Sequence, residues 1–255
     1  MEFSQPGLPP PNQIDDTTYI FVQHHNDHAN ELRRQGDLDG AITNYNKVLA
    51  MSGDVAVVYN NRGIAWLKKG DLDRAISDFD RAVEIASDFA APYYNRGIAL
   101  RAKRDFDRAL DDFSLALKKD PELPQAYNNR GEVWSEKGNL ERAIADYSHA
   151  IALEPDFAAA YNNRGEAWRS KNHFEKAIED YSRALDINPE FAVAYLNRGV
   201  SWCAQNRLER AAEDFARGVE LNSDFVKTHP GLSEVLKNGK IDRVCDEMKK
   251  LLTRS

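Results

Sequence analysis

The tripeptide Asn-Arg-Gly occurs five times in this chain, closing at Gly63, Gly97, Gly131, Gly165 and Gly199, and the interval is 34 residues every time. A strict period of this size marks a stacked repeat array, in which each supersecondary unit buries its apolar face only against its neighbours. The constraint outranks length. A chain of 255 residues allows one globular domain or two, whereas an array of this kind behaves as one elongated domain.

Within one period the apolar spacing is helical. Tyr59, Gly63 and Trp66 fall at i, i+4 and i+7, one face of a helix. After Lys68-Lys69-Gly70-Asp71 the pattern restarts, and Leu72, Ala75, Ile76, Phe79, Ala82 and Val83 share one face of a second helix. Each period therefore predicts two antiparallel helices joined by a tight Gly- or Asn-containing turn. Prolines at 121, 155 and 189 stop one helix and suit the connection to the next hairpin. A glycine inside a helix costs about 1 kcal/mol against alanine. Reflecting the hairpin about Lys69 offers a reason, because Gly63 and Ala75 then lie at one height on facing helices. Gly97 with Ala109, Gly131 with Ala143, Gly165 with Ala177 and Gly199 with Ala211 repeat the pairing.

These slots resemble the tetratricopeptide repeat family, whose pattern has a 34-residue period, an aromatic, a glycine, a later alanine, a second aromatic and a closing proline. Tyr59, Gly63, Trp66, Ala75, Phe79 and Ala82 fill them first, and matching sets begin at Tyr93, Tyr127, Tyr161 and Tyr195. A first, degenerate repeat near 22–55 keeps Gly36, Leu38, Ala41 and Tyr45 but has Ala29 for the glycine. The resemblance implies an all-α, right-handed α-solenoid of about six hairpins, near 22–55, 56–89, 90–123, 124–157, 158–191 and 192–225. The expected organisation is an extended arm over 1–16, rich in proline, a solenoid over 17–223, and a C-terminal helical cap over 224–255. In the cap, Ile241, Val244, Cys245, Met248, Leu251 and Leu252 have amphipathic helical spacing.

One departure from the family pattern is informative. The residue before each glycine is arginine (Arg62, Arg96, Arg130, Arg164, Arg198) where the family usually has leucine. Sixteen residues on lies an aspartate: Asp78, Asp112, Asp146, Asp180 and Asp214. Each couple is symmetric about its turn and predicts an ion pair across the hairpin. In the first repeat the same slots hold His28 and Asn44, so both partners change together.

A second stripe on the first helix of each hairpin, Val57, Asn60, Asn61, Ile64, Leu67 and Lys68 in the second repeat, is expected to line the concave surface. One slot in it is constant: Asn61, Asn95, Asn129, Asn163 and Asn197. Asparagine is a poor mid-helix residue whose amide both donates and accepts. A column of such amides suits the backbone of an extended peptide, as some members of the family use it. Alternatively the asparagines bond neighbouring helices. Around the column, Arg33, Arg34, Lys68, Tyr94, Arg101, Glu132, Glu136, Glu166 and Arg169 would set selectivity, and the sixth repeat is apolar with Val193, Leu196, Val200 and Cys203. The slots that clamp a C-terminal carboxylate in co-chaperones of the family hold mostly Asn, Tyr, Val and Ala, which disfavours that ligand.

Composition closes off other classes. A net charge of −7 opposes a nucleic-acid partner, which needs a basic face. No apolar run reaches the roughly 20 residues of a membrane span, and the N-terminus reads as no signal peptide. No GxGxxG, GKS/T, HExxH or GxSxG motif occurs, so no enzyme is expected, and no cofactor or metal. The His24, His25, Asp27, His28 cluster offers two ligands at i, i+4 but no assured third. Cys203 and Cys245 are expected as small reduced core residues in a cytoplasmic protein, without a disulfide. The tryptophans at 66, 134, 168 and 202 share one slot and read as core. The function that follows is a non-catalytic scaffold or adaptor for an extended segment of a partner protein. The alternatives are self-assembly through the ends, including a homo-oligomer through the C-terminal cap, or through the convex face; a metal-binding or enzymatic accessory role stands behind both.

Overall fold

The computed structural model describes residues 16–222 and Cys245. Twelve α-helices and no strand occur among the described residues. They run α1 Asp16–Gln35, α2 Leu38–Ser52, α3 Ala56–Lys68, α4 Leu72–Ile85, α5 Ala90–Ala102, α6 Phe106–Lys119, α7 Pro124–Glu136, α8 Leu140–Leu153, α9 Ala158–Ser170, α10 Phe174–Ile187, α11 Ala192–Ala204 and α12 Leu208–Leu221. The architecture is an all-α solenoid of helix hairpins. The chain divides into two compact units, residues 1–133 and 134–255. In the first, α1 packs on α2, α3 on α4 and α5 on α6, with each hairpin against the next. In the second, α9 packs on α10 and α11 on α12, with α8 against α9. The expected arm over 1–16 and the cap over 224–255 lie outside the described residues, apart from Asp16 and Cys245.

The turns explain why the helices stop where they do. One residue per turn adopts positive φ: Gly36, Gly70 and Gly138, and, in the same slot of the other hairpins, Arg104, Asn172 and Asn206. Glycine takes this conformation freely, whereas Arg104 at φ 62° carries the Cβ strain of the left-handed region. After the three glycine turns the next helix starts on a side-chain cap, from Asp37, Asp71 and Asn139. Asp71 accepts the backbone N–H of Arg74 at 3.0 Å, and Asn139 accepts that of Arg142 at 3.2 Å, satisfying donors a helix start leaves open.

The core is built from the repeating slots. Ala41, Ala75, Ala109, Ala143, Ala177 and Ala211 are all fully buried, as are Tyr45, Phe79, Phe113, Tyr181 and Phe215 in the aromatic slot. The glycine meets that ring, and at Gly165 the backbone carbonyl of the expected alanine, Ala177, as well. A Cβ added at Gly63 would lie 2.6 Å from Phe79 Cε1, and one at Gly199 the same distance from Phe215 Cε1. The register puts Ala75 at the right height, but the aromatic one turn further along reaches back and fills the space.

The tryptophans are half-buried, and Trp66, Trp134 and Trp202 pack their inner side against the buried core residues, as the core reading expected. Each lies under a cation from the following helix: Arg74 is 4.0 Å from the Trp66 ring centroid, Arg142 4.5 Å from that of Trp134, Lys176 4.3 Å from that of Trp168 and Arg210 4.8 Å from that of Trp202. The cation's aliphatic stem covers the ring while its charge stays wet.

The cysteine expectation is overturned. Cys203 and Cys245 form a disulfide, with Cα atoms 5.7 Å apart. A spacing of 42 residues falls outside the repeat register, so the helical pattern gave no sign that the two would meet.

Candidate peptide-binding face

Two jobs of the Asn-Arg-Gly triplet are architectural. Arg62 donates through Nε to Asp78 Oδ2 at 2.8 Å and through Nη2 to Asp78 Oδ1 at 2.6 Å. The same two-pronged geometry joins Arg96 to Asp112, Arg164 to Asp180 and Arg198 to Asp214, at 2.7–2.8 Å. The planar fork of the guanidinium matches a carboxylate in this way, which a lysine cannot do. These aspartates are buried, and the carboxylate bonds hold the arginines' pKa values above the ordinary one although burial works the other way.

Sequence reading missed the arginine's third donor. Nη1 reaches the preceding hairpin: Arg62 to Asn46 at 2.6 Å, Arg96 to Asp80 at 2.6 Å, Arg130 to Ser114 at 3.1 Å, Arg164 to Ser148 at 3.0 Å and Arg198 to Ser182 at 2.9 Å. The acceptor always lies sixteen residues before the arginine, a signal present in the sequence but spread over three residue types. Each of these guanidinium groups also lies over the tyrosine three residues earlier, 5.3 Å from the ring centroid for Arg62 and Tyr59. In the degenerate first hairpin the matching contact shifts by one helical turn. His25 Nδ1, and not His28, lies 2.8 Å from Asn44 Oδ1, while Asn44 Nδ2 donates to the Gly40 carbonyl.

The asparagine column does double duty. In the first unit Asn95 Nδ2 donates to Asn60 Oδ1 at 2.9 Å, and Asn129 Nδ2 donates to the Tyr94 hydroxyl at 2.9 Å. In the second, Asn197 Nδ2 donates to Asn162 Oδ1 at 3.2 Å, and Asn162 Nδ2 to Asn163 Oδ1 at 3.4 Å. Asn95, Asn129 and Asn197 thus each clasp the residue 35 positions earlier, on the preceding hairpin. Asn61, 4% exposed, makes no such bond. The residue 35 positions before it is Asn26, whose Oδ1 is the one fully buried side-chain polar atom without a partner among the described residues.

The charges expected to give selectivity are largely spent on one another. Arg101 pairs with Glu132 in the first unit, where Glu132 also accepts from Asn128 Nδ2 at 2.8 Å. Arg169 pairs with Glu166 in the second, and the Tyr181 hydroxyl donates to Glu166 at 3.1 Å. Burial, and then the Glu166 charge, drive the Tyr181 pKa well above its usual value; burial also raises that of Tyr94. Arg33 donates to the Tyr45 hydroxyl at 3.3 Å, Arg34 pairs with Glu31, and Lys68 and Glu136 stand exposed. The sixth stripe differs in kind: Leu196, Val200 and Cys203 are buried together with Cys245, while Val193 is exposed.

The histidine cluster is an aromatic stack, with His24 and His28 centroids 6.3 Å apart and the rings nearly parallel. No group of three or more His, Cys, Asp or Glu converges to hold a metal among the described residues. No helix among them is long and apolar enough to cross a membrane.

Tetratricopeptide repeat models match residues 26–91, 90–123 and 158–191, and a TPR repeat model matches residues 135–168. No curated protein matches the chain. Several solved structures do. MamA 41-end from Desulfovibrio magneticus RS-1 is 28% identical, with a TM-score of 0.61, over 66% of this chain and 96% of that one. YrrB, described as a TPR protein with an unusual peptide-binding site, is 22% identical with a TM-score of 0.59, over 71% of this chain and 93% of that one. PilF of Pseudomonas aeruginosa is 15% identical with a TM-score of 0.70, over 85% and 95% respectively. The last two likenesses bear on the fold alone.

Proposed function

Because the chain belongs to the tetratricopeptide repeat family, it is a protein–protein interaction scaffold, and we propose that it holds an extended segment of a partner protein along its asparagine stripe. The observation that carries this reading is Asn61. Its residue is 4% exposed, its side-chain amide makes no hydrogen bond within the fold, and the only fully buried unpartnered polar atom among the described residues is Asn26 Oδ1, so the Asn61 amide keeps an open edge for a ligand. An extended peptide backbone offers both a donor and an acceptor at every residue. Where the clasp between hairpins is made, as at Asn95, the amide N–H is committed and the side-chain oxygen is left to accept. Lys68, Tyr94 and Arg101 flank the stripe in the first unit and Glu136, Glu166 and Arg169 in the second, and would choose the partner's side chains.

Residues 17–223 would form the interaction domain. Tetratricopeptide repeat proteins are in general non-catalytic scaffolds, and no catalytic role or cofactor is proposed for this one. The disulfide removes the argument from cysteine use for a cytoplasmic setting, since such bonds persist mainly in oxidising compartments.

Selection of displayed peptides against the full chain tests the stripe. The wild type should enrich a consistent set, and Asn61→Ala and Asn163→Ala should each lose it while the far-ultraviolet circular dichroism stays unchanged. Enrichment of the same peptides by both folded variants would sink the proposal. Self-assembly has one observation in its favour: Ile20 and Phe21, at the start of α1, are 66% and 37% exposed. Sedimentation over a wide concentration range decides it, because a persistent monomer removes this alternative.

A further inference from the structure

An arginine recurs in one slot of the stripe, at Arg33, Arg101 and Arg169. Arg101 pairs with Glu132 in the first unit, and Arg169 with Glu166 in the second. Beside Arg169, the Tyr181 hydroxyl donates to Glu166 at 3.1 Å and completes a three-residue network. The first hairpin repeats that network without its negative charge. The slot of Glu166 holds Asn30, whose Oδ1 accepts the Tyr45 hydroxyl at 2.7 Å, and Arg33 Nε donates to the same hydroxyl at 3.3 Å. Arg33 has no carboxylate partner among the described residues, because the nearby Glu31 is committed to Arg34 and Gln35.

The residue opposite Arg33 deepens the shortage. Side chains of successive first helices meet at a separation of 35 residues, as Asn60 with Asn95 and Tyr94 with Asn129 do. The same register sets Arg33 on α1 opposite Lys68 on α3, which is exposed and makes no ion pair among the described residues. Two cations thus share one position at the α1–α3 junction, where the α5–α7 junction has Arg101 with Glu132. About two helical turns nearer the N-termini, the register sets Asn26 opposite Asn61. Asn26 is 8% exposed with its Oδ1 unpartnered, and the Asn61 amide makes no bond, so the clasp found at the next two junctions is left unmade here. Ile64 and Leu67, half-buried on α3, lie between the two polar positions.

We propose that the α1–α3 junction reads an acidic residue of the partner: the held segment places an Asp or Glu side chain between Arg33 and Lys68 while its backbone passes the open Asn61 amide. The proposal rests on the reading of the asparagine stripe as a peptide site, and names what that site selects in its first unit. The partner's carboxylate supplies to Arg33 the charge that Glu166 supplies to Arg169. It accepts charge-assisted bonds from the Nη groups of Arg33 and from Lys68 Nζ, none of which is bonded within the fold. Two like charges in one register repel until an anion neutralises them. The apolar surface of Ile64 and Leu67 lowers the local dielectric and strengthens that attraction. Arg34, Arg101 and Arg169 already hold glutamates, which leaves Arg33 and Lys68 as the stripe's cations to be answered from outside.

The test selects random peptides, displayed between fixed linkers so that no chain end can supply the anion, against the full chain. Wild type should enrich sequences with Asp or Glu at one aligned position. Lys68→Glu, which has no ion pair to lose, should abolish that preference, and Arg33→Glu with Lys68→Glu should turn it to Lys or Arg. Circular dichroism establishes that each variant is folded. A synthetic copy of the best binder, with the aligned acid replaced by its amide, should bind wild type about tenfold more weakly, the worth of one charge-assisted bond. The same replacement should make little difference to Arg33→Gln with Lys68→Gln, and added salt should shrink the difference seen with wild type. An enriched set with no acidic position would overturn this proposal and leave the stripe reading standing. An acidic preference that survives unchanged in the folded charge-reversed variants would do the same. No enriched set at all would overturn both.

Discussion

Asn95 donates its side-chain amide to Asn60 of the preceding hairpin at 2.9 Å, whereas Asn61, in the same slot one repeat earlier, has no such bond. Two residues that look identical in sequence thus hold different debts to the fold. Asn95→Ala should lower stability by about 1 kcal/mol, the usual worth of such a bond. Asn61→Ala should change it by less than about 0.5 kcal/mol. Urea unfolding followed at 222 nm compares them, and equal losses would mean that the clasp contributes nothing.

Arg96 is more heavily committed. It holds Asp112 with two donors and Asp80 with a third. Removing one partner strands a buried carboxylate, so Arg96→Ala should cost about 3–5 kcal/mol. Arg96→Met with Asp112→Leu should recover much of that loss, because an ion pair replaced whole by apolar groups leaves no charge unpaired. Thermal midpoints of the three proteins give the comparison.

Gly63 leaves no room for a methyl group beneath Phe79. Gly63→Ala should therefore destabilise by about 1–3 kcal/mol through overpacking, in spite of alanine's better helix propensity. Phe79→Leu in the same chain should be less damaging than it is beside glycine. Strict additivity of the two changes in a double-mutant cycle would refute the contact.

Arg104 sits where three other turns carry glycine. Arg104→Gly relieves the left-handed strain at the cost of a looser unfolded chain and of the cation lying 5.2 Å from the Phe106 centroid. The balance should favour the variant by up to about 1 kcal/mol, a rise in melting temperature of about 2–4 °C. A lower melting temperature would show that the ring contact outweighs the strain.

Tyr94 and Tyr181 both have pKa values raised chiefly by burial. Between the unfolded value near 10 and the folded one, the native state keeps a proton that the unfolded state has lost. Stability contributed by these hydroxyls is complete below about pH 10 and falls as pH rises through the folded values. Tyr181→Phe should flatten the alkaline limb of a melting-temperature profile above about pH 10, with no change at neutral pH.

What could be read from the sequence was whatever repeats in register. The buried alanine and aromatic slots, the turn at Gly70, and the pairing of Arg62 with Asp78 all follow from folding one period back on itself. Features that depend on a side chain's direction did not. The ring of Phe79 reaches back a turn to Gly63, and His25 displaces His28 at Asn44; register alone cannot choose between neighbours on one face. The arginine's third partner was hidden because Asn46, Asp80 and Ser114 share only the power to accept a hydrogen bond. Cys245 lies beyond the repeats, where no period predicts what it meets. On the asparagine stripe, spacing found the column but could not show that Asn95 and Asn197 spend their amide N–H groups on the preceding hairpin.

The three-way grip of Arg62, Arg96, Arg164 and Arg198 also bears on how such a chain grows. Each of these four hairpins carries both the hand that reaches backward and the aspartate that steadies it, and asks of its predecessor only a short acceptor, which Asn46, Asp80, Ser148 and Ser182 supply alike. A duplicated or deleted block of one whole period would rejoin with its junction chemistry intact. Array length is thus something evolution can adjust in single steps, without first inventing a new interface.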